Sequence, residues 1–136
     1  PGHQFEWYFL LESSSLLRGS KLHAALDRAF AFTEQFGVEQ TSGAVRAMLD
    51  LQRDGRPKDS TQRIWAQAEY LRALTLRPDS EAAVLRQLQA LQQRFLHAGG
   101  WHECRDELGE VSRKDMPSTT PYHLATCYSG LAEYLR

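Results

Sequence analysis

The chain has 136 residues, of which 42% are hydrophobic and 24% are charged, with only 5 prolines and 9 glycines. This composition is typical of a globular protein, and it excludes collagen, a disordered tail and a disulfide-rich miniprotein. The chain carries 16 Lys and Arg residues against 17 Asp and Glu residues, for a net charge of −1. We therefore expect no binding to nucleic acid and none to an anionic membrane surface.

Three features of the chain bear on its cellular context. Apolar runs such as residues 7–11 are far shorter than the roughly 20 residues that a membrane span needs. Cys104 and Cys127 do not make a disulfide framework, which favours a reducing, cytoplasmic compartment. The chain begins Pro-Gly-His without a charged and apolar leader. We therefore expect no signal peptide, and we interpret the chain as the C-terminal part of a larger barrel.

Two helices are predicted in the first 37 residues. Residues 3–18 are apolar nearly all round, which indicates a buried helix that ends at Gly19-Ser20. Residues 21–36 carry one apolar stripe and one polar, solvent-facing side, which indicates a surface helix. Gly37 is its expected C-cap. The stripe consists of Leu22, Ala25, Leu26, Ala29, Phe30 and Phe36.

A third helix follows an irregular segment. Residues 44–51 predict a short strand and residues 53–57 an Asp-Gly turn. Asp59 or Ser60 is a candidate cap for a helix over residues 61–76. This helix has bulky or functional groups on both faces, which indicates burial on two sides. One face carries Ile64, Ala68 and Leu71, and the other carries Trp65, Glu69 and Arg72.

The rest of the chain predicts two more helices. An Asp79-Ser80 cap begins a helix that reaches residue 98. Its apolar stripe is Val84, Leu85, Leu88, Leu91, Phe95 and Leu96, and its wet side includes Arg86, Gln87, Gln89, Gln93 and Arg94. Residues 101–121 are irregular, with a turn at Leu108-Gly109, and residues 122–135 form the last helix.

The helices alternate between buried and amphipathic, in units that recur about every 60 residues. This alternation predicts an all-α fold made of inner and outer helices, either a double ring or a solenoid. Twelve helices at about 11–12 residues each would consume about 140 residues without any loops, so a closed ring would be less than half present. We therefore expect residues 1–136 to form a single partial domain of about five helices with long, hairpin-containing loops.

The predicted buried helices carry unusual groups in their first two turns. Inner helices that run parallel in a ring place their N-termini at one end, where free N–H groups and dipoles favour polar or anionic groups. A pocket at that end would be lined by imidazoles, carboxylates and indoles. The candidate residues are His3, Glu6, Trp7, Trp65, Glu69 and His123.

His3 and His123 are the candidates for proton transfer, since an imidazole titrates near neutral pH and two of them can remove and return a proton. Glu6 lies three residues after His3, so its carboxylate can fix the tautomer of that imidazole or hold a substrate hydroxyl. The alternative is that both histidines are ordinary core residues near helix starts.

Trp65 can stack on a sugar ring, because its apolar face matches the C–H face of a pyranose; the alternative is a core tryptophan. Glu69, one turn later, could equally pair with Arg63 or Arg72.

A metal or nucleotide cofactor is not expected. The spacing of His97, His102 and Cys104 matches no common zinc pattern. Neither cysteine has a basic neighbour placed to make a thiolate, and no glycine-rich phosphate loop is present. The acidic residues Glu103, Asp106 and Glu107 are expected to form a solvated loop.

At these residues the sequence resembles the N-acylglucosamine 2-epimerase family, which includes cellobiose 2-epimerases and mannose-type aldose–ketose isomerases. The resemblance spans essentially the whole chain. It rests on Pro-Gly-His-Gln-Phe-Glu-Trp at 1–7, Leu10-Leu11, Trp-Ala-Gln-Ala-Glu at 65–69, Gly-Gly-Trp at 99–101, the loop with Asp106, and Pro-Tyr-His at 121–123.

The resemblance implies an (α/α)6 barrel of twelve helices and a metal-independent reaction, without a cofactor, at C2 of a reducing monosaccharide or disaccharide. Such enzymes open the sugar ring and remove the C2 proton to give an enediol. They then return a proton to C2, which gives the epimer, or to C1, which gives the ketose. By this resemblance His3 and His123 are the acid/base pair, and Glu6 contacts the substrate or orients an imidazole. Trp65 lines the sugar subsite, with Trp7 and Glu69 as further substrate-binding candidates.

The family's N-terminal half, with further substrate-holding groups, is absent from this chain. The resemblance therefore implies that this segment needs that half as its partner, is inactive alone, and leaves a homodimer open. Two other classes of function stay open. The first is an (α/α)6 glycoside hydrolase that uses Glu6 and Asp106, since two carboxylates about 5 to 9.5 Å apart are required. The second is a non-catalytic helical interaction module, because fold alone does not give function.

Overall fold

Five helices dominate the part of the chain that the computed structural model describes, residues 1–17, 21–39, 55–56 and 59–136. The helices are α1 (Gly2–Glu12), α2 (Lys21–Gly37), α3 (Ile64–Leu74), α4 (Glu81–Phe95) and α5 (Thr120–Tyr134). The short strands are β1 (Gln62–Arg63), β2 (Leu96–His97), β3 (Gly100–Trp101), β4 (Cys104–Arg105) and β5 (Val111–Arg113). No helix within these ranges is long and apolar enough to cross a membrane.

The helices form an inner row and an outer row. Helix α3 packs between α1 and α5, while α2 covers α1 and α4 covers α3. Every residue of α3 except Trp65 is buried, as expected for a helix with neighbours on several sides. The rings of Phe5, Phe30 and Tyr70 join α1, α2 and α3 in the core, with centroids 4.7 to 6.3 Å apart. The predicted alternation of inner and outer helices is confirmed.

Helix α1 is shorter and more exposed than the sequence predicts. It ends at Glu12 rather than at residue 18, and Gly2, Phe5 and Tyr8 are its buried residues. Trp7 is 58% exposed and Leu10 is 43% exposed, because only α2 and α3 make extensive contacts with α1. The predicted stop at Gly19-Ser20 lies outside the described residues.

Helix α4 follows the predicted stripe with two corrections. Gln87, expected to face water, is 1% exposed because its Nε2 donates to the backbone oxygen and to Oε1 of Gln67. Leu85, expected in the apolar stripe, is 58% exposed. The helix also ends at Phe95 rather than at residue 98, since Leu96 and His97 leave it to pair with β3.

Helix α3 begins later than predicted because the residues before it join a sheet. Strand β1 pairs antiparallel with β4, and β4 with β5. The predicted cap at Asp59 or Ser60 is wrong: the N-cap position is Arg63, and Oδ1 of Asp59 instead accepts a hydrogen bond from the Thr61 N–H at 2.8 Å. The predicted strand at 44–51 and most of the turn at 53–57 lie outside the described residues.

The turn predicted at Leu108-Gly109 joins β4 to β5. Gly109 has a φ of +87°, a conformation that favours glycine, and its N–H donates to the Asp106 carbonyl at 3.1 Å. The turn prediction is therefore confirmed. The last helix starts two residues earlier than predicted, at Thr120, with Pro121 in its first turn, where a missing N–H costs nothing.

Candidate active site

The first turns of the three inner helices meet at one end of the fold, as the sequence predicts. The indole of Trp65 at the start of α3 contacts both imidazoles. Its ring centroid is 4.9 Å from that of His3 on α1 and 5.2 Å from that of His123 on α5. His3 is exposed, while Trp65 and His123 are partly buried. The cluster therefore presents two titratable rings around one aromatic face.

A glycine lets α1 approach the indole this closely. A Cβ atom built on Gly2 would lie 2.3 Å from Cζ3 and 2.4 Å from Cη2 of Trp65, far inside van der Waals contact. The rigid indole cannot bend away as a flexible chain end would. Gly2 is thus a steric requirement for placing His3 beside Trp65.

A buried carboxylate holds the imidazole of His123. Its Nδ1 lies 2.7 Å from Oε1 of Glu69, and the two side chains are 18% and 0% exposed. An ionised carboxylate can only accept a hydrogen bond, so Nδ1 carries the proton and donates it. The neutral ring then keeps Nε2 as a free acceptor, the form that a general base needs.

Burial and the charged groups around Glu69 together set the pKa of its carboxyl. Burial raises the pKa of its carboxyl, whereas the hydrogen bond from His123 and the positive charge of Arg72 act to lower that pKa. Nη2 of Arg72 lies 2.7 Å from Oε2 of Glu69, in a pair that is 3% and 0% exposed. Glu6 on α1 adds a negative charge nearby, which raises the pKa further.

One group in the described ranges has the composition of a metal site. Potential ligand atoms of Glu6, Glu69 and His123 lie within 4.8 Å of one another. However, Nδ1 of His123 is occupied by its hydrogen bond to Glu69, and the adjacent guanidinium of Arg72 repels a cation. We therefore interpret the group as a hydrogen-bonded acid–base cluster.

His97, His102 and Cys104, whose spacing matches no common zinc pattern, make other contacts in the structure. The rings of His97 and His102 stack with centroids 4.6 Å apart. Cys104 is buried, and its Sγ accepts a hydrogen bond from Nη1 of Arg63 at 3.8 Å. Neither cysteine forms a disulfide.

Glu103 was expected in a solvated loop, and that expectation is wrong. It is 4% exposed, and its Oε2 accepts hydrogen bonds from Trp101 Nε1 at 3.0 Å and from Thr120 Oγ1 at 2.9 Å. Its carbonyl accepts the Ile64 N–H at 3.1 Å. One residue therefore ties the first turn of α3 to that of α5, which carry Trp65 and His123. No spacing of residues along the chain indicates this long-range role.

Trp7 and Asp106 are two further residues that the sequence indicates as site candidates. Trp7 is 58% exposed, and the ring contacts of Trp65 within the described residues are those with His3 and His123. Asp106 caps the β4–β5 turn, since its Oδ1 accepts the N–H groups of Leu108 and Glu110. The structure therefore does not support Asp106 as half of a hydrolytic carboxylate pair.

Comparison with known proteins agrees with this architecture. The family model N-acylglucosamine 2-epimerase (GlcNAc 2-epimerase) matches residues 1–127. A curated relative, the mannose-6-phosphate isomerase of Rhizobium meliloti (strain 1021), is 30% identical over 149 residues, which cover 100% of this chain. The chain spans only 38% of the length of that relative.

Three solved structures have the same fold. A D-mannose isomerase superposes with a TM-score of 0.75 at 23% identity, over 98% of this chain and 37% of its own. A sugar epimerase from a ruminal bacterium superposes with a TM-score of 0.79 at 17% identity, over 97% of this chain and 38% of its own. The cellobiose 2-epimerase of Spirochaeta thermophila DSM 6192 superposes with a TM-score of 0.77 at 16% identity, over 98% of this chain and 37% of its own. The predicted fold, part of an (α/α)6 barrel, is confirmed.

Proposed function

The chain belongs to the N-acylglucosamine 2-epimerase family, and we propose that the protein of which it forms part is a sugar 2-epimerase or aldose–ketose isomerase that acts at C2 of a free reducing sugar. The observation that carries this proposal is the pair formed by His123 and the buried Glu69, beside the adjacent rings of Trp65 and His3. This arrangement supplies two proton-transferring groups and an aromatic surface in one place.

In the proposed reaction His123 is the general base. With the sugar in its open-chain form, Nε2 of His123 takes the proton from C2, and the electron pair moves onto the C1 carbonyl to give an enediolate. The imidazolium that forms is stabilised by the carboxylate of Glu69, 2.7 Å from Nδ1. Charge-assisted hydrogen bonds of this kind are roughly twice as strong as neutral ones.

His3 is the complementary acid in this proposal. Its ring centroid lies 4.9 Å from that of the indole, and no described carboxylate hydrogen-bonds to its ring. A proton delivered from protonated His3 to the opposite face of C2 gives the epimer. Delivery to C1, with transfer of the C2 hydroxyl proton to the C1 oxygen, gives the ketose. The two imidazoles exchange roles in the reverse direction.

Trp65 and Glu6 bind the sugar in the same proposal. The indole offers an apolar face to the C–H groups of the sugar, and the partly buried carboxylate of Glu6 accepts hydrogen bonds from hydroxyl groups. Trp7, about one turn after His3 on α1 and 58% exposed, is a further candidate contact for the sugar once the remainder of the barrel is present.

The chain supplies about a third of such a barrel, so we propose that it is inactive by itself. The remaining helices would close the pocket and hold the sugar. The two buried, unpaired thiols also fit the predicted cytoplasmic location.

The test is proton NMR of free sugars in D2O with the full-length protein. D-mannose, mannose 6-phosphate, N-acetylmannosamine and cellobiose serve as separate probes. We expect loss of the C2–H signal of at least one sugar, with deuterium uptake, and the product distinguishes an epimerase from an isomerase. Absence of exchange with every probe would contradict the proposal, and release of glucose from cellobiose would favour a hydrolase.

Matched variants locate the chemistry. His3→Asn and His123→Asn should each lower turnover by about 10²–10⁴-fold, the usual contribution of a general acid or base. His97→Asn changes an exposed histidine of β2 outside the cluster and should leave turnover unchanged. Full activity of either active-site variant would remove that residue from the mechanism.

A further inference from the structure

Arg72 is a charged residue beside the site that is too deeply buried for a substrate to reach. It is 2% exposed and lies among the three inner helices. Its guanidinium carbon is 4.4 Å from the centroid of the Phe9 ring of α1. A Cβ added to Gly130 of α5 would lie 3.3 Å from Cγ of Arg72. The fold therefore makes room for a buried cation directly beneath the acid–base cluster.

This cation has few polar partners. Nε and Nη2 of Arg72 are buried and make no hydrogen bond within the described residues, and neither does Oε2 of Glu69. Nη2 and Oε2 are nonetheless 2.7 Å apart, so the contact is Coulombic rather than a directed hydrogen bond. An opposite charge beside a buried charge offsets part of its desolvation cost, and Glu69 is the carboxylate in contact with Arg72.

We propose that Arg72 is a positioning residue for the reaction, which acts through Glu69: its buried charge keeps the Glu69 carboxyl ionised so that it can hold the His123 imidazole. This inference rests on the proposed function, and it adds a residue that never touches the sugar. A protonated Glu69 could no longer stabilise the imidazolium of His123, so turnover would fall wherever Glu69 takes up a proton.

The groups around Glu69 set the direction of the effect. Arg72 lies on its own helix, Glu6 faces it from α1, and His123 and Cys127 face it from α5. Glu6 disfavours the ionised form, while Cys127 is held as a neutral thiol because burial and the charge of Glu69 raise its pKa to about 12. Without Arg72, only the hydrogen bond and charge of His123 would favour ionised Glu69.

The experiment is the pH–rate profile of C2 proton exchange in the full-length protein. Arg72→Met keeps the length of the stem and removes the charge, and Arg72→Gln does so with a polar side chain. An opposite charge at this distance lowers a carboxyl pKa by about 1–3 units. Both variants should therefore move the acid limb of the profile upward by about one to three pH units, with turnover recovering at higher pH. Arg72→Lys, which keeps the charge, should restore the limb.

Arg77→Met is the matched control. Arg77 pairs with Asp27 and stacks 4.9 Å from the ring centroid of Phe30, away from the site. Its loss should lower the melting temperature and leave the acid limb in place. If the rate falls at the same acidic pH in the wild type and in the neutral Arg72 variants, the inference is overturned. Failure of both variants to fold would also overturn it, because Arg72 would then be purely structural. Absence of exchange in the wild type would instead contradict the proposed function.

Discussion

Replacing Glu69 by glutamine should separate stability from activity. Glutamine has the shape of a protonated carboxyl, so Glu69→Gln approximates the neutral form of the residue. Burial raises the pKa of Glu69 in spite of His123 and Arg72. Ionised Glu69 therefore costs free energy in the folded protein, and the neutral variant should unfold no more easily than the wild type at neutral pH. Its turnover should fall by about a hundredfold or more, because the imidazolium of His123 loses its counter-charge.

The magnitude follows from linkage between protonation and folding. Each unit by which the folded-state pKa exceeds the ordinary 4.5 destabilises the wild type by about 1.4 kcal/mol above that pKa. This penalty is complete at pH values above the raised pKa and absent below the unfolded value. The stability advantage of Glu69→Gln should therefore be largest at neutral and alkaline pH and should shrink as the pH falls towards 4.5.

The assay is urea unfolding of the full-length protein at about pH 8 and about pH 5, alongside the exchange rate. Asp27→Asn is the control, because it removes the partner of Arg77 from a pair that is 31% and 41% exposed. Such a pair contributes about 0–1 kcal/mol, so this variant should be slightly destabilised and fully active. A loss of about 3–5 kcal/mol in Glu69→Gln, the cost of breaking a buried ion pair, would refute the reasoning.

Two further substitutions test how the cluster is positioned. Gly2→Ala should displace the Trp65 indole, lowering C2 exchange and costing about 1–3 kcal/mol of folding free energy, as overpacking does. Gly99→Ala is the control, because its Cβ would meet only ordinary contacts at 3.6 Å, and it should change neither the exchange rate nor the folding free energy. Equal thermal melts and exchange rates for Gly2→Ala and Gly99→Ala would refute the steric argument. Glu103→Gln should cost about 1.5–3 kcal/mol, the value of a hydrogen bond to a charged group. It should also alter the NMR signal of His123 at the start of α5, and an unchanged signal would deny Glu103 its positioning role.

The architecture could be predicted from the sequence because it depends on periodicity. The apolar stripe of α2 and the two-sided burial of α3 are local patterns with a period of 3.6 residues. From their alternation it follows that the inner helices present their first turns at one end. The contacts of Trp65 with His3 and His123 bear out that geometric step.

Most of the polar contacts could not be predicted, since they depend on register between distant segments. The pair of Glu69 with Arg72, three residues later, is one that the sequence indicates as an alternative. Glu69 and His123 are 54 residues apart, and only the packing of α3 on α5 decides which carboxylate meets the imidazole. The helical period places Gln87 on the solvent-facing side of α4, yet Gln87 is buried because its side chain donates hydrogen bonds to Gln67. Glu103 resembles a loop carboxylate until the positions of Thr120 and Trp101 are known.

The burial that penalises Glu69 is also what makes it useful. A carboxylate in water would attract an imidazolium weakly, because solvent screens the pair. With Glu69 0% exposed, the same charge acts through a medium of lower dielectric and needs no reorganisation when the proton arrives at His123. The fold then needs Arg72 to keep that charge in place. The three inner helices of this segment thus contain both imidazoles of the proposed pair, the carboxylate that holds one of them and the cation that keeps the carboxylate ionised. Variants of Arg72 should therefore change the pH dependence of the proposed reaction, although Arg72 is too deeply buried to contact the sugar.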